Sequence, residues 1–511
     1  MQDHRDRAAA LDLPLPPAAA VRSGQRWRAD LRWPLLTVLA VQLILSLRLT
    51  WSNTAFQDEA LYLRAGHLEW TRLLHGSPIP DFPSYFSGAP VIYPPIAALA
   101  DSIGGLTAAR MLSLGLMLGV TSLLWATAGR LYGKRAALLA AGLFATLAGT
   151  QFLGALATFD ALALFLLALA VWLGVRSAGA SPRAALALLA AAGVTLAVAD
   201  AVKYATALFT PVVIAVVALA VWRQPGRGPS WLTAGLVAAG SWLTLTFVAV
   251  RAGGQDYWLG ITTSTLDRPQ ANFAVTTVLQ RAYVWTSLLL VLAVFGAVLA
   301  ASGKARGRFL PAVLAAAALL APAEQARLHT TVSLQKHVVF GAWFAAIAAG
   351  YGLARLSRVD PGRGWAAVMA LPIAASTLFG SMGQAASLYQ VWPNAAPAIA
   401  ILRSAVRAHA GNYLAEDYDV EAYYLRTEVG WQRWSSTYYF RYPGYEPGPS
   451  SYRAALADHY FSLVVLNYGD TVTTDRQIAA DMRRDGGYHV LARAGSFTIW
   501  ARHPSGGRRA G

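Results

Sequence analysis

The residues best suited to chemistry are carboxylates and cations that stand near the ends of long apolar stretches. They are Asp58, Glu59, Asp160, Lys203, Arg268, Lys336 and His337. A carboxylate held just above an apolar boundary would have a raised pKa from desolvation, which suits a general base. Ammonium, guanidinium and imidazole groups would hold an anionic head group such as a phosphate. These residue types therefore predict a site that takes a proton from one reactant and binds the phosphate of another.

The elements that must position these residues are membrane helices. Of the 511 residues, 56% are apolar and 13% are charged, about half the charged share of a soluble globular chain. This composition excludes a cytosolic enzyme, a disulfide-rich secreted domain and a disordered tail. Cysteine is absent, so the chain has neither a disulfide framework nor a thiol metal site.

Spanning the hydrocarbon requires about 20 largely apolar residues per helix. Eleven stretches meet this requirement, of which 184–199 and 309–323 are the shortest. They are 34–50, 106–128, 136–154, 158–175, 184–199, 205–222, 231–250, 283–302, 309–323, 338–355 and 365–383.

The distribution of charge predicts the orientation of these spans. The five loops that follow the even-numbered stretches contain 13 basic residues and one acid, Asp360. With the N-terminal segment they carry +14 of the net +16, so the positive-inside rule places them in the cytoplasm. The charge that would suggest nucleic acid is therefore an insertion signal, and no nucleic-acid partner is expected.

The predicted fold is an α-helical polytopic membrane protein with its N-terminus inside and a small extracytoplasmic α/β domain at the C-terminal end. Residues 1–33 are expected to form a disordered cytoplasmic tail, and 34–383 a transmembrane catalytic domain with a long first outer loop at 51–105. Charged residues return in 384–511, where the alternating segments Phe461–Asn467 and Phe497–Arg502 predict strands. His489–Ala492 would lead into a hairpin.

Each chemical interpretation has a structural alternative. Asp58 and Glu59 would also suit the N-terminus of an interfacial helix, which favours negative charge. Lys203 would also suit a lysine that reaches lipid head groups, and Asp160 a buried partner of an arginine. The basic segment 323–337 would also suit an ordinary membrane-surface patch. The aromatic residues between Trp431 and Tyr445 would stack on sugar rings, or else pack together or form a head-group belt.

In their order and topology these residues resemble the GT-C membrane glycosyltransferases, in particular the protein O-mannosyltransferase and lipid A aminoarabinose transferase group. The resemblance covers roughly 34–220. It rests on Asp58 to Tyr62, the Pro-Pro segment from Tyr93 to Ile96, Ala-Arg-Met-Leu-Ser-Leu at the second span, Arg-Leu-Tyr-Gly-Lys-Arg in the first inner loop, Asp160 and Lys203-Tyr204.

The resemblance implies that a sugar is transferred with inversion from a polyprenyl-phosphate donor to an extracytoplasmic protein, lipid or polysaccharide. Asp58 would be the base that deprotonates the acceptor, while Glu59 and Asp160 orient groups around it. Lys203 and Arg268, with Lys336 and His337, would bind the donor phosphate. Tyr62, Tyr93 and Tyr204 would line the substrate.

One departure concerns metal binding. In the aminoarabinose branch an acid–lysine pair directly precedes the Pro-Pro segment, whereas here those positions are Ile92 and Tyr93. No metal and no cofactor are therefore assigned, and a divalent metal is left open without support from the sequence. The competing function is a membrane transporter or lipid flippase, and a third is a non-catalytic scaffold. A transporter is expected to place its charges mid-span, whereas the acids here stand at the predicted outer ends of spans and in outer loops.

Overall fold

The computed structural model of the chain describes residues 32–223, 229–303, 306–356, 378–416 and 418–503. Nearly all of the predicted tail 1–33 and most of the predicted span 365–383 lie outside these residues. The chain divides into two compact units. The helical unit takes the described parts of Met1–Thr50, Pro80–Tyr93 and Thr107–Leu388, and the α/β unit takes those of Trp51–Ile79, Pro94–Leu106 and Tyr389–Gly511.

Helices form most of the described chain. They are α1 (Arg32–Leu47), α2 (Gln57–His75), α3 (Tyr93–Tyr132), α4 (Lys134–Thr146), α5 (Ala148–Leu153), α6 (Phe159–Ser177), α7 (Pro182–Val202), α8 (Thr210–Arg223), α9 (Trp231–Ile261), α10 (Val275–Ala301), α11 (Leu310–Arg327), α12 (Leu334–Leu356), α13 (Ala396–Ala408), α14 (Tyr418–Tyr424), α15 (Pro449–Ala457) and α16 (Val472–Asp485).

The first ten apolar stretches predicted from the sequence each coincide with a helix, or with the pair α4 and α5. Seven helical stretches among the described residues are long and apolar enough to cross a membrane. They begin at Tyr93, Phe159, Pro182, Tyr204, Trp231, Val275 and Leu334. The predicted polytopic helical membrane fold is confirmed.

Small residues allow the helices of the helical unit to approach closely. A Cβ atom on Gly350 of α12 would lie 2.5 Å from the carbonyl oxygen of Ala136 in α4. One on Gly296 of α10 would lie 2.2 Å from the carbonyl oxygen of Ala348. Helices in membranes gain little from apolar burial against each other, so close backbone contact of this kind supplies much of their association energy.

The segment 80–93 is bound tightly to the end of α7. The backbone N–H of Ala89 donates to the carbonyl of Ala201 at 2.7 Å, and that of Tyr204 donates to Ser87 at 3.0 Å. Gly88 lies between these bonds, and a Cβ there would be 2.0 Å from the carbonyl oxygen of Val202. The segment therefore fixes the backbone on both sides of Lys203.

We expect Gly88→Ala to destabilise the helical unit, because the added methyl group cannot be accommodated without moving the α7 backbone. Overpacking of this kind costs about 1–3 kcal/mol. The apparent melting temperature of the purified protein should fall by several degrees. Gly115→Ala is the matched control, because a Cβ at Gly115 meets nothing within 4 Å. Equal melting temperatures for the two variants would contradict the prediction.

The α/β unit is built on one five-stranded sheet. Its strands are β1 (Asn412–Ala415), β2 (Trp434–Ser436), β3 (Phe461–Leu466), β4 (Tyr488–Ala494) and β5 (Phe497–Arg502), in the order β2-β1-β3-β5-β4. β1 is parallel to β2 and β3, whereas β5 is antiparallel to β3 and β4. The strands predicted at Phe461–Asn467 and Phe497–Arg502 are confirmed, and so is the hairpin that His489–Ala492 enters.

Both faces of this sheet are covered. Alternate residues of β3 point into different apolar clusters: Leu463 and Val465 into one, Val464 and Leu466 into the other. Burial on both faces explains why β3 reads as a continuous apolar run, as is typical of central strands.

Two segments of the first loop belong to the α/β unit. Asn53 Nδ2 donates to the carbonyls of Tyr389 at 2.8 Å and of Trp392 at 3.0 Å. Asp101 accepts from Tyr423 at 2.5 Å and from Arg426 at 3.1 Å. These bonds join residues that are more than 300 positions apart in sequence, so the unit is discontinuous.

Candidate functional site

A cavity of about 280 Å³ lies within the helical unit. Among its described lining residues are the cations Lys203, Arg268 and Arg327, together with His337 and one carboxylate, Glu324. Apolar side chains, among them Leu208 and Phe340, form part of the remaining wall. A cavity with excess positive charge and apolar walls suits an anionic group attached to a hydrocarbon chain.

Asp160 and Lys203 form a buried ion pair beside this cavity. Lys203 Nζ lies 2.7 Å from Asp160 Oδ1; 5% of the Lys203 side chain and 0% of the Asp160 side chain are exposed. Thr158, extended immediately before α6, donates its hydroxyl to Asp160 Oδ2 at 2.9 Å. Lys203 leaves the α7 helix with φ −147° and ψ 109°, and its ammonium lies 4.7 Å from the ring centroid of Phe159.

The first turn of α12 adds two basic residues. Lys336 is buried, and both Lys336 and His337 interact electrostatically with Asp160. His337 also lies in the field of Lys203 and Arg268, and Gln325 Nε2 donates to its Nδ1 at 2.7 Å. Asp160 thus lies in the field of Lys203 and Lys336 and close to His337.

Asp200 is a structural anchor that positions the cavity wall. Its carboxylate accepts hydrogen bonds from Thr206 at 2.7 Å, from Thr210 at 2.9 Å and from the indole N–H of Trp242 at 2.9 Å. Three donors satisfy this buried acid. Asp200 therefore fixes the 3₁₀ turn Tyr204–Phe209, which contributes six consecutive residues to the cavity.

The α/β unit holds the predicted acidic pair, in the first turn of α2. Glu59 is fully buried, and its carboxylate accepts the backbone N–H of Phe56 at 2.9 Å. The helix-capping alternative therefore describes Glu59. Asp58 is half-buried in the same turn.

Asp58 interacts electrostatically with Asp419, a carboxylate paired with Arg64. Burial raises the pKa of the Asp419 carboxyl; the partner Arg64 opposes this rise, and the charge of Asp58 adds to it. Tyr62 follows on α2 and is buried.

The ten residues predicted from the sequence divide between the units. The α/β unit contains Asp58, Glu59 and Tyr62; the helical unit contains Tyr93, Asp160, Lys203, Tyr204, Arg268, Lys336 and His337. Lys203, Tyr204, Arg268 and His337 line the cavity. Tyr93 is fully buried at the first residue of α3.

Two of the structural alternatives are wrong. Asp160 pairs with Lys203 and not with an arginine, and Lys203 is buried in that pair instead of extending to lipid head groups. In the segment 323–337, Glu324 and Arg327 pair with each other at 2.6 Å.

A second carboxylate pair, Glu416 and Asp475 of the α/β unit, is not among the residues predicted from the sequence. Glu416 follows β1 and accepts the backbone N–H groups of Gly469 at 3.0 Å and Thr471 at 2.6 Å. Asp475, in the first turn of α16, accepts the N–H of Tyr468 at 3.0 Å. Burial and the neighbouring Glu416 raise the pKa of Asp475 to about 7. Glu416, which follows β1 by one residue, was the available signal; Asp475 had none.

Because an unfolded aspartate titrates near pH 4, folded Asp475 retains a proton between about pH 4 and pH 7 that the unfolded chain releases. The stability of the α/β unit should therefore fall as the pH rises through this range. Asp475→Asn should remove this dependence and protect the unit at pH 8. The stability of the unit at each pH is measured by hydrogen–deuterium exchange of β3 and α16, corrected for the intrinsic effect of pH on exchange. Asp458→Asn, at an exposed carboxylate, is the control; an unchanged pH dependence in Asp475→Asn would refute the assignment.

Metal binding has no structural support among the described residues, where no three His, Asp or Glu side chains are grouped closely enough to hold an ion. Ile92 and Tyr93 occupy the positions that carry the acid–lysine pair in the aminoarabinose branch. The prediction that no metal is assigned, with a divalent metal left open, stays a prediction.

Comparisons with solved structures identify the fold. ArnT from Cupriavidus metallidurans in the apo state matches with a TM-score of 0.61 at 15% identity, over 93% of this chain and 98% of that one. The same protein bound to undecaprenyl phosphate matches with a TM-score of 0.61 at 16% identity and the same coverage. The Archaeoglobus fulgidus oligosaccharyltransferase in its apo form matches with a TM-score of 0.57 at 13% identity, over 86% of this chain and 70% of that one.

The chain has the GT-C fold. A family model described as dolichyl-phosphate-mannose-protein mannosyltransferase matches residues 89–252, about a third of this GT-C chain. The match includes Tyr93, Asp160, Lys203 and Tyr204. No curated protein sequence matches the chain. The resemblance to GT-C glycosyltransferases noted in the sequence is thereby confirmed.

Proposed function

We propose that the chain is an inverting glycosyltransferase that moves a sugar from a polyprenyl-phosphate donor to an acceptor on the extracytoplasmic side of the membrane. The observation that carries this proposal is the basic, apolar-walled cavity lined by Lys203, Arg268 and His337 in a GT-C fold. A solved structure with this fold, ArnT, contains undecaprenyl phosphate.

The chemistry requires one bond to form and one to break. The acceptor hydroxyl oxygen attacks the anomeric carbon as the bond to the phosphate oxygen breaks, which inverts that carbon. The hydroxyl proton passes to Asp58, and polyprenyl phosphate leaves with the bonding electrons. A phosphate is already a good leaving group, so positioning, a base and cations to neutralise its charge are sufficient catalysis.

The cations of the cavity suit this leaving group. Lys203 is held by Asp160, which fixes its ammonium with little remaining rotational freedom. Arg268 adds a second positive charge to the lining, and His337, whose Nδ1 accepts from Gln325, adds a neutral imidazole that can donate a hydrogen bond. Such preorganised charge stabilises developing negative charge more strongly than mobile surface lysines do.

The placement of charge disfavours a transporter. Asp160 is the second residue of α6, Lys203 directly follows α7 and Lys336 is the third residue of α12. These groups all lie at helix ends. Charges that carry a substrate or ion across a membrane are expected near the bilayer centre.

The test is incubation of the purified protein with radiolabelled polyprenyl-phosphate sugars, one at a time, together with extracts of cell-envelope acceptors. We expect label to move from one donor into an acceptor fraction, with free polyprenyl phosphate as the second product. Lipid scrambling in proteoliposomes is measured in parallel. Scrambling without turnover of any donor would replace the enzyme proposal by the flippase alternative.

A further inference from the structure

A second cavity, of about 330 Å³, lies wholly within the α/β unit. It opens where the parallel strands end: Glu416 follows β1, Tyr438 follows β2 and Asn467 follows β3. Ser496 of the turn between β4 and β5, and Phe497 at the start of β5, complete this edge. The carboxyl ends of parallel strands are the usual location of ligand sites in open α/β sheets.

The cavity combines hydrogen-bonding groups of both kinds. Glu416 and Asp470 offer carboxylate acceptors, while Asn467, Gln57 and Ser496 carry donor groups. Asn467 Oδ1 accepts the N–H of Gly469 at 2.8 Å, which orients its amide.

Glu421 supplies an independent indication that a ligand binds here. Its side chain lines the cavity and the residue is only 3% exposed, yet Oε2 has no hydrogen-bond partner among the described residues. A buried polar atom left without a partner is costly unless a ligand or water completes it. Burial raises the pKa of Glu421 to about 8, so at neutral pH it is a protonated donor as well as an acceptor.

Aromatic surfaces border these polar groups. Tyr438, 40% exposed, donates to Asp470 at 3.3 Å and its ring centroid lies 5.8 Å from that of Tyr439, which is 84% exposed. Trp392 and Phe56 form another part of the wall, and their ring centroids lie 5.0 Å apart. Trp434, by contrast, is buried in an apolar cluster and serves packing.

The charge of the cavity excludes an anionic ligand. Among its described lining residues there are three carboxylic acids and no lysine, arginine or histidine. A phosphate would be repelled, so the donor belongs elsewhere. Carboxylate and amide groups can bind neighbouring hydroxyl groups of a ligand, and aromatic faces can pack against the C–H groups of its ring. This combination suits a polyhydroxylated ligand.

We propose that this cavity binds an uncharged saccharide unit of the acceptor. The role of this saccharide as an acceptor rests on the proposed function, whereas its binding to the cavity does not. Tyr438 would stack on the sugar ring, while Glu416, Glu421 and Asn467 would bind its hydroxyl groups. The α/β unit would thus select a glycan acceptor.

The experiment measures binding without any donor. Full-length protein in lipid nanodiscs is applied to an array of neutral, amino and acidic oligosaccharides, because maltoside detergents would supply a competing sugar. A cationic peptide is included as a probe of simple charge attraction. The Kd of each hit is then measured by calorimetry for the wild type and for Tyr438→Ala, Asp470→Asn and Glu421→Gln.

We expect at least one neutral glycan to bind, and Tyr438→Ala to weaken it about tenfold. Tyr445→Ala is the matched control, because Tyr445 is similarly exposed but lies outside the described lining of the cavity. Its Kd should equal that of the wild type, and all variants should retain the wild-type circular dichroism. Binding of no neutral glycan, preference for the cationic peptide, or equal Kd values in the cavity variants would each overturn the proposal. Loss of donor turnover in the separate assay would instead count against the proposed function alone.

Discussion

Lys203→Met should abolish binding of polyprenyl phosphate and destabilise the helical unit at the same time. The ammonium of Lys203 is buried 2.7 Å from Asp160, so its removal takes away the hydrogen-bonded ionic partner of a buried carboxylate. Breaking a buried pair in this way costs about 3–5 kcal/mol. Two measurements test this prediction. The melting temperature should fall, and native mass spectrometry should no longer detect undecaprenyl phosphate bound to the protein.

The double variant Asp160→Asn, Lys203→Met separates the two effects. It removes both charges and keeps an acceptor for Thr158, so most of the lost stability should return. Lipid-phosphate binding should stay at least tenfold weaker than in the wild type. If binding returned together with stability, Lys203 would be a purely structural residue.

Arg327→Met provides the control for charge alone. Arg327 lines the same cavity, but it is half-exposed and pairs with Glu324 at the surface. Exposed pairs of this kind contribute little to stability, because water and salt screen their charges. The melting temperature of Arg327→Met should therefore stay close to that of the wild type. Any loss of affinity for polyprenyl phosphate should be smaller than in Lys203→Met.

Asp58→Asn should reduce sugar transfer by about 10²- to 10⁴-fold, which is the usual contribution of a general base. Asparagine keeps the size and the first-turn position of the side chain but cannot accept the proton. The protein should still insert and fold, and donor binding should be unchanged, so the loss should appear in kcat and not in KM for the donor.

Two further variants test whether the effect is specific to position 58. Glu59→Gln keeps an oxygen for the N–H of Phe56 and should retain the cap of α2. Asp81→Asn removes an exposed acid of the helical unit and should have wild-type activity. Wild-type transfer by Asp58→Asn would eliminate this residue as the base.

The parts of the fold that were predictable from sequence are those with a local signal. Apolar stretches such as 158–175 predict membrane helices from their length and composition. The strand β3 was predicted from Phe461–Asn467 as an alternating segment, although every residue of the strand is buried. The basic and acidic residues around the cavity were predictable as a set because charge is costly near the membrane.

The pairings within that set were not predictable. Asp160 and Lys203 are 43 positions apart, and only the packing of α6 against the end of α7 brings them together. The same is true of Glu416 and Asp475, which meet because β1 and β3 are neighbours in the sheet. Nothing local marks Glu421 as lining a cavity, since its burial depends on residues from both sides of a long helical insertion.

The discontinuity of the α/β unit has a consequence for biosynthesis. Residues 51–79 and 94–106 are made early, but their partners from Tyr389 onward follow about 280 residues later. At about 5–20 residues per second, the early segments wait roughly 15–60 seconds for the strands they pack with. During that interval the surface of α2 that packs against these later residues is uncovered, so translational pauses after residue 106 should increase misassembly.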